Sequence, residues 1–224
     1  MSATPDSAQR PVPFTNPGKE RTTDNGAVRW DPVQGSNAPL KGWGYDTSEG
    51  AQRVPCIARW PGRIPTGVVQ DEIVTMMDIF PTVAALAGIP LPIDRAIDGN
   101  DAGPILFGRA NARSPYDQSG FFYYHMHQLQ AVRAGRWKLY LQLKNKIRNL
   151  GGDYSRGENV AAELYDVSND PGETREVSSA HPDVCHQLTL LADDARRDLG
   201  DWDHDGANQR SAGWVGVPTP RLLP

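Results

Sequence analysis

The sequence predicts a mixed α/β fold, α+β within these 224 residues, in which an incomplete α/β stretch precedes a small antiparallel sheet packed with a C-terminal helix. Up to about residue 110, loop-forming residues dominate, and the strands are too few for an α/β sheet covered on both faces. After that, aromatic and β-branched segments alternate with turns and lead into one amphipathic helix. The predicted divisions are an irregular leader at 1–21, the α/β stretch at 22–110, the sheet and helix at 111–200, and an irregular tail at 201–224.

The first stretch contains two predicted strand segments and one predicted helix. Residues Arg53–Trp60 have the composition of a short strand. A second strand-like segment begins at Asp71 and leads into a helix that Asp78 can cap, with Pro81 tolerated in its first turn. Gly88 is expected to end this helix.

The second stretch is predicted to form a sheet and one long helix. The turn at residues 134–136, which contains a glycine, indicates a hairpin between its two central strands. Apolar residues recur at helical spacing after Pro182, which suits the first turn of a helix. The predicted strands are Phe121–Tyr124, Leu129–Arg133, Trp137–Leu141 and Glu163–Val167, and the predicted helix is His181–Leu199.

Composition and charge exclude several classes of protein. The chain has 27 acidic and 23 basic residues and a net charge of −4, so it offers no electrostatic footprint for nucleic acid or an anionic membrane. No apolar run reaches the ~18 residues that a membrane span needs. Residues 1–20 are polar and proline-rich and lack the apolar centre of a signal peptide. Cys56 and Cys185 can either pair or serve as buried free thiols, and neither has the spacing of a metal site.

A candidate metal-binding motif stands near the start of the chain. Asp24 and Asn25 precede Gly26 and place a carboxylate beside a carboxamide, which are the oxygen donors that Ca²⁺ and Mg²⁺ prefer. Asp-Asn-Gly is also a common turn sequence, so both interpretations are open on the tripeptide alone.

A series of further motifs follows in order and favours the metal-binding interpretation of that tripeptide. Together with Asp24-Asn25-Gly26, the series resembles the C-terminal part of sulfatases of the arylsulfatase type, over roughly residues 22–200. The motifs are Gly35–Gly42, Thr47–Pro55, Ile57–Pro65, Asp78–Thr82, Ile97–Gly99, Gln130–Arg133, Trp137-Lys138, Leu164–Asp166 and Asn169–Glu173.

The resemblance implies an alkaline-phosphatase-like α/β domain and a sulfuric ester hydrolase. Such enzymes use a formylglycine made from Cys or Ser in a C/S-x-P-x-R motif, and a Ca²⁺ ion held by Asp and Asn side chains polarises the sulfate. Carried over to this chain, Asp24 and Asn25 are two of the Ca²⁺ ligands. The implied substrate is a sulfate ester, either a small molecule or a sulfated glycan, and many relatives are periplasmic, secreted or lysosomal.

Three departures from the family pattern bear on activity. No C/S-x-P-x-R motif occurs in the chain, and nothing before Thr22 resembles the segment that carries the other acidic metal ligands. Gly44 stands where the family places a sulfate-contacting lysine. Lys41, three residues earlier, can substitute for it or can be an ordinary solvated loop lysine.

Other polar residues have a structural or a functional interpretation. Glu49 and Arg53 are expected to pair with each other or to cap backbone groups. His125 and His127 are separated by one residue, so on a strand both side chains would face the same side, as a substrate-contacting rim or as exposed edge residues. His181 is expected to precede or cap the last helix, and His186 to lie on its surface.

These observations lead to a principal prediction and three alternatives. The principal one is the C-terminal portion of a sulfatase that is inactive alone. The family has an apolar strand before the Asp-Asn-Gly motif, and here Pro17 and Gly18 interrupt it, as expected for a truncated gene product or a misread start. One alternative is a non-catalytic binding module, or pseudoenzyme, and another is a complementing half that assembles with an N-terminal sulfatase half. The third is a phosphoric or phosphonic ester hydrolase of the same superfamily.

Overall fold

The computed structural model describes residues 21–22, 28–29, 37–42, 46–150, 153–155, 159–211 and 213–217. Mixed helices and an antiparallel sheet are present, as the sequence predicts, and the helices of the first half are short. The elements before the main sheet are β1 (Arg21–Thr22), β2 (Val28–Arg29), α1 (Glu49–Gln52), a 3-10 turn (Met76–Asp78), α2 (Ile79–Ala87), α3 (Gly103–Leu106) and α4 (Tyr116–Ser119).

Asp78 organises the region around α2. Its carboxylate accepts hydrogen bonds from the backbone N–H groups of Thr75 at 2.6 Å and Asn100 at 2.7 Å, and from the Tyr116 hydroxyl at 2.7 Å. The side chain therefore caps the 3-10 turn and ties it to the 99–116 segment, rather than capping the N–H groups of α2 itself. Gly88 ends α2 in the left-handed conformation, as predicted.

A four-stranded antiparallel sheet forms the second half of the molecule. The sheet is a simple meander, in which the strands pair in the order of the sequence: Phe121–His125, Gln128–Ala134, Trp137–Tyr140 and Glu163–Asp166. The predicted hairpin is confirmed, since Gly135, at a φ of 55°, and Arg136 connect the two central strands. The strands are β3 (Phe121–His125), β4 (Gln128–Ala134), β5 (Trp137–Tyr140) and β8 (Glu163–Asp166), with β6 (Arg148–Leu150) and β7 (Asp153–Ser155) paired separately.

One face of this sheet is apolar and packs against a single long helix. This helix, α5 (Pro182–Leu199), follows a 3-10 turn at Ser178–Ala180 and is confirmed where the sequence predicts it. His181 occupies its N-cap position and packs against the Trp137 ring at 4.7 Å, and His186 is exposed. The buried core between sheet and helix consists of Leu129, Val132, Leu139, Leu141, Leu143, Leu164, Leu188, Ala192 and Ala195.

The other face of the sheet is polar and yet also buried. Cross-strand partners place Arg133, Lys138 and Tyr165 on one row of this face, and Tyr123 and Tyr140 lie on the next. The chain segment that includes α1 covers these side chains through hydrogen bonds. The sheet therefore separates an apolar core from a second buried layer of polar and charged side chains.

Three local predictions are wrong. Residues Arg53–Trp60 form no strand, since the segment pairs with none of the described strands, Pro55 lacks an N–H group, and Ile57 is exposed. The segment before the 3-10 turn is likewise a loop. Both cysteines are free thiols, but Cys56 is exposed, so the expectation of two buried thiols fails there.

A short hairpin follows α5. It pairs β9 (Gly200–Asp201) with β10 (His204–Asp205), within residues predicted to be irregular after Gly200. Across the described ranges, no helix combines the length and the apolar composition needed to traverse a bilayer.

Replacing Leu164 by alanine is expected to lower the free energy of unfolding by about 3 kcal/mol, because its fully buried side chain leaves a cavity between sheet and helix. Urea denaturation followed by circular dichroism measures the change. Leu190→Ala, on the half-exposed side of α5, is the matched control and should cost less than about 1 kcal/mol. Equal losses in the two variants would contradict this location of the core.

Candidate functional site

The polar face of the sheet is built around one buried lysine. Lys138 is fully buried, and its ammonium donates hydrogen bonds to the Thr47 carbonyl at 2.8 Å, to Glu49 Oε1 at 3.0 Å and to Glu173 Oε1 at 2.8 Å. An ammonium has three donors, so all three are used. The same ammonium lies 4.3 Å from the centre of the Tyr123 ring.

Both carboxylates of this cluster have further partners. Glu49 accepts a hydrogen bond from the Tyr123 hydroxyl at 2.8 Å and forms an ion pair with Arg133 at 2.8 Å. Glu173 accepts a hydrogen bond from the Tyr140 hydroxyl at 2.6 Å. We call these residues and Lys138 the charged layer. Because buried charges are costly unless paired and hydrogen-bonded, this complete set of partners is what permits their burial.

The surroundings fix the protonation states within the charged layer. Burial acts to raise the pKa of Glu49, but Lys138, Arg133 and the Tyr123 hydrogen bond outweigh it and hold that pKa below its ordinary value. Burial, together with the adjacent carboxylates, raises the pKa of both Tyr123 and Tyr140. The hydroxyls therefore remain donors, and the carboxylate of Glu49 remains ionised at neutral pH.

The charged layer holds the 46–52 segment against the sheet. The Gly50 N–H donates to the Lys41 carbonyl at 2.8 Å, and the Asn37 side chain donates to the Gly50 carbonyl at 2.7 Å. A Cβ atom on Gly50 would lie 2.5 Å from the Gly42 carbonyl oxygen, so only glycine allows the two backbone segments to come this close. The 37–42 and 46–52 segments are thus fixed to each other and to the sheet.

Lys41 lies at the edge of the charged layer. Its ammonium is 3.7 Å from Glu173 Oε2, 4.9 Å from the centre of the Tyr165 ring and 5.4 Å from that of Tyr140. The side chain is 42% exposed, so solvent can reach its charge. Lys41 is therefore partly solvated and lies in an acidic and aromatic setting, and its role as a substitute for the family's lysine stays a prediction.

The two candidate histidines do not share one side of a strand. His125 is the last residue of β3 and is 9% exposed, whereas Met126 takes a φ of 56° and forms the following turn with His127, which is exposed. The expected alternation fails because the strand ends between them. Burial lowers the pKa of His125, with Asp46 opposing the effect, and His125 Nε2 has no hydrogen-bond partner in the described part of the chain.

An open cleft of about 690 Å³ lies beside His127. Its walls include Tyr124 and Met126 from the β3–β4 turn and Trp202 from the hairpin after α5. Leu199, which the sequence pattern places with the apolar residues of α5, also lines this cleft and is 37% exposed. His127 therefore faces a solvent-filled space large enough for a small organic group.

The predicted metal ligands, Asp24 and Asn25, lie outside the described residues. Among the described residues, no group of three His, Cys, Asp or Glu side chains is placed to hold a metal ion. The sequence Asp201-x-Asp203-x-Asp205-Gly206 has the spacing of Ca²⁺-binding loops. However, Asp201 is engaged by Arg196 at 2.8 Å, and Asp203 contacts His204 at 2.7 Å, so this pattern does not form such a site here.

The sequence motifs contain the four charged residues of this layer but do not indicate how these residues pair. The pairing of Glu49 with Arg53 is wrong, because Glu49 pairs with Arg133 and Lys138 from the sheet. Lys138 and Glu173 fall within motifs already recognised, yet neither was assigned a role. A usable signal exists in the alternation of β5, which directs Lys138 to the face opposite its apolar neighbour Leu139.

Comparison with known families places the fold and the segments held by the charged layer in the sulfatase class. The family model described as N-sulphoglucosamine sulphohydrolase, C-terminal, matches residues 41–196, which is more than half of the chain. The chain belongs to this sulfatase C-terminal family.

Similar proteins support the same family. Steryl-sulfatase of Mus musculus is 36% identical over 197 residues, covering 76% of this chain and 31% of the relative. N-acetylgalactosamine-6-sulfatase of Canis lupus familiaris is 34% identical over 200 residues, covering 80% of this chain and 37% of the relative. A solved structure from work on glycosaminoglycan metabolism by Bacteroides thetaiotaomicron is 27% identical, with a TM-score of 0.56, over 68% of this chain and 31% of that one. The chain thus spans about a third of the length of the relatives it matches.

Replacing Lys138 by methionine is expected to lower the free energy of unfolding by about 3–5 kcal/mol, because Glu49 and Glu173 would remain buried without their shared cation. Thermal and urea unfolding measure the loss. Lys41→Met, at the half-exposed edge, should cost less than about 1 kcal/mol.

A compensated variant keeps that experiment decisive if Lys138→Met fails to fold. Changing Glu173 to glutamine in the same chain removes the carboxylate that loses its buried cation, whereas Glu49 keeps its ion pair with Arg133, so part of the stability should return. A double variant no more stable than Lys138→Met would refute a charge-based role for the cluster.

Acidification is expected to destabilise the charged layer through Glu49. Its folded-state pKa lies below the ordinary value of 4.5, so it stabilises the fold above that pH, and this contribution is lost as the pH falls through the folded-state pKa. The free energy of unfolding, measured between pH ~6 and ~3, should fall less steeply in Glu49→Gln than in the wild type. Asp183→Asn, which removes an exposed carboxylate from α5, should retain the wild-type slope. An unchanged slope in Glu49→Gln would contradict the assignment.

Proposed function

We propose that this chain supplies the C-terminal part of a sulfuric ester hydrolase and acts with a nucleophile-bearing N-terminal sulfatase part. The observation that carries the proposal is the charged layer, which fixes the 46–52 segment, and through it residues 37–42, on a sheet that belongs to the sulfatase family. In the resemblance that the sequence shows, this segment is the one that reaches the sulfate. A saturated, buried ion cluster suits a supporting role, since it leaves none of its own groups free to act as acid or base.

Three side chains are proposed to contact the substrate. The Lys41 ammonium is held by Glu173 and two tyrosine rings, and its exposed side can attract an anionic ester. His127 lines the open cleft, where it can contact the group that carries the sulfate. His125 is proposed to use its unpaired Nε2 as a hydrogen-bonding group for the substrate or for a residue of the completed site.

Ca²⁺ is proposed as the cofactor of the assembled enzyme. Asp24 and Asn25 would supply two of the six to eight oxygen ligands that Ca²⁺ takes, and the described residues add no cluster that completes the set. The ion, when bound, stabilises negative charge on the sulfate oxygens. The remaining ligands would come from the N-terminal sulfatase part.

The substrate class is proposed from the relatives and from the cleft. Relatives named for steryl sulfate and for N-acetylgalactosamine 6-sulfate span a small-molecule ester and a sugar ester. Either class is a sulfate ester, and the position of the exposed Trp202 beside His127 offers an apolar surface on which a sterol or sugar ring can pack.

A binding module without catalysis is the second candidate. It is favoured by the absence of a C/S-x-P-x-R motif from the chain. Titration calorimetry with a sulfated glycan and its unsulfated counterpart separates the two candidates, since a binding module retains sulfate-dependent affinity without any N-terminal part. A phosphoric or phosphonic ester hydrolase is tested by the matching phosphate esters in the same assays.

The purified chain alone is expected to show no measurable hydrolysis of an aryl sulfate, because it carries no formylglycine motif. Together with an N-terminal part that carries this motif, hydrolysis should appear and be lost on chelation of Ca²⁺. Asp24→Ala should lower the rate by about 10²-fold or more, since it removes a group that supports charge on the sulfate.

Asp94→Ala is the matched control for this experiment. Asp94 is an exposed carboxylate paired only with the neighbouring Arg95, so the rate should be unchanged. Hydrolysis by the chain alone that disappears in Asp24→Ala would overturn the requirement for an N-terminal part.

A further inference from the structure

The exposed large hydrophobic side chains are concentrated on one part of the described chain. Of the 22 such residues, 15 lie between Val54 and Ile93, whereas the sheet and α5 contribute few. Residues 73–92 contain one charged residue, Asp78, and its side chain is buried. Soluble proteins rarely leave a large, charge-free apolar surface uncovered, so this surface calls for a partner.

Helix α2 shows that the exposure is one-sided. Its inner side is buried, since Thr82 accepts a hydrogen bond from the Ala102 N–H at 2.8 Å and Asp78 binds the 99–116 segment. Its outer side carries Phe80, 53% exposed, and Val83, 57% exposed. Apart from Thr82, every residue of α2 is apolar, and a helix that is apolar all round is typical of the interior of a protein. We call the outer side, formed by Met76, Ile79, Phe80, Val83 and Leu86, the α2 face.

Residues 1–20, by their composition, and the described sheet offer little to cover the α2 face. Residues 1–20 include only a few apolar side chains among four prolines and many polar residues. The β3–β8 sheet already packs its apolar side against α5. The relatives, by contrast, are about three times as long as the matched segment, and the matched family is a C-terminal one.

We propose that the α2 face is the docking surface for the N-terminal part of a sulfatase, the part that carries the nucleophile motif. This inference rests on the proposed function and adds the surface through which the two parts join. The α2 face resembles the core of a permanent interface, which is apolar and depleted of charge. Because α2 is tied through Asp78 and Tyr116 to the segment leading into β3, docking there would also orient the sheet and its charged layer.

The experiment uses the full 224-residue chain and the polypeptide that carries C/S-x-P-x-R and is encoded with it in the source genome, co-expressed as two tagged chains. Phe80→Asp and Val83→Asp each place a charge on the α2 face and should weaken the complex at least 10-fold in a titration of the purified parts. Val215→Asp, an exposed apolar residue elsewhere in the chain, is the matched control and should leave affinity unchanged. Circular dichroism of each variant confirms that the fold is retained.

Several outcomes would overturn the proposal. These are a complex unaffected by both α2 variants, no complex, and a source genome without any sulfatase N-terminal sequence. A chain that forms a dimer which Phe80→Asp dissociates would assign the face to a second copy, and binding to phosphatidylcholine vesicles that Phe80→Asp abolishes would assign it to a membrane.

Hydrolysis is measured separately from complex formation, so that the docking surface and the proposed function are tested independently. A complex that depends on Phe80 but hydrolyses no sulfate ester supports the docking surface and counts against the proposed function. Hydrolysis by a complex that both α2 variants leave intact supports the proposed function and counts against the docking surface.

Discussion

The arrangement of this molecule depends on one buried cation. The Lys138 ammonium donates hydrogen bonds to two buried glutamates and a backbone carbonyl at once, which offsets much of the cost of burying the two carboxylates. Since Glu49 and Thr47 belong to the 46–52 segment while Lys138 belongs to the sheet, two of these three bonds join the two halves of the chain. An ordinary apolar contact would stabilise such a junction, but it would fix the position of the segment less specifically.

The sheet is the element that allows this junction to exist. Alternation along β5 sends Leu139 into the apolar core and Lys138 into the charged layer, so a single strand serves two chemically opposite environments. The helix α5 needs to cover only the apolar side. The polar side is left for the 46–52 segment, which the charged layer holds there.

Much of the second half could be predicted from the sequence because its signals are local. The hairpin turn at Gly135 and the periodicity of α5 both depend on residues that are close together in the sequence. The pairing of Glu49 could not be predicted, since its partners lie more than 80 positions away and Arg53 offers a nearer but wrong choice. The strand predicted at Arg53–Trp60 failed for a related reason: strand propensity describes a segment that has a neighbour to pair with, and none of the described strands pairs with it.

The distance in sequence between the partners of Lys138 has a consequence for how the chain reaches its folded state. The β3–β4 and β4–β5 hairpins close over a few residues, whereas the bond from Lys138 to Glu49 spans 89 positions. Long loops are slow to close, so we expect the meander to form early and the 46–52 segment to arrive late. Until then Arg133 would stand on the open polar side without its Glu49 partner, and its charge keeps that side hydrated and disfavours premature association with other chains.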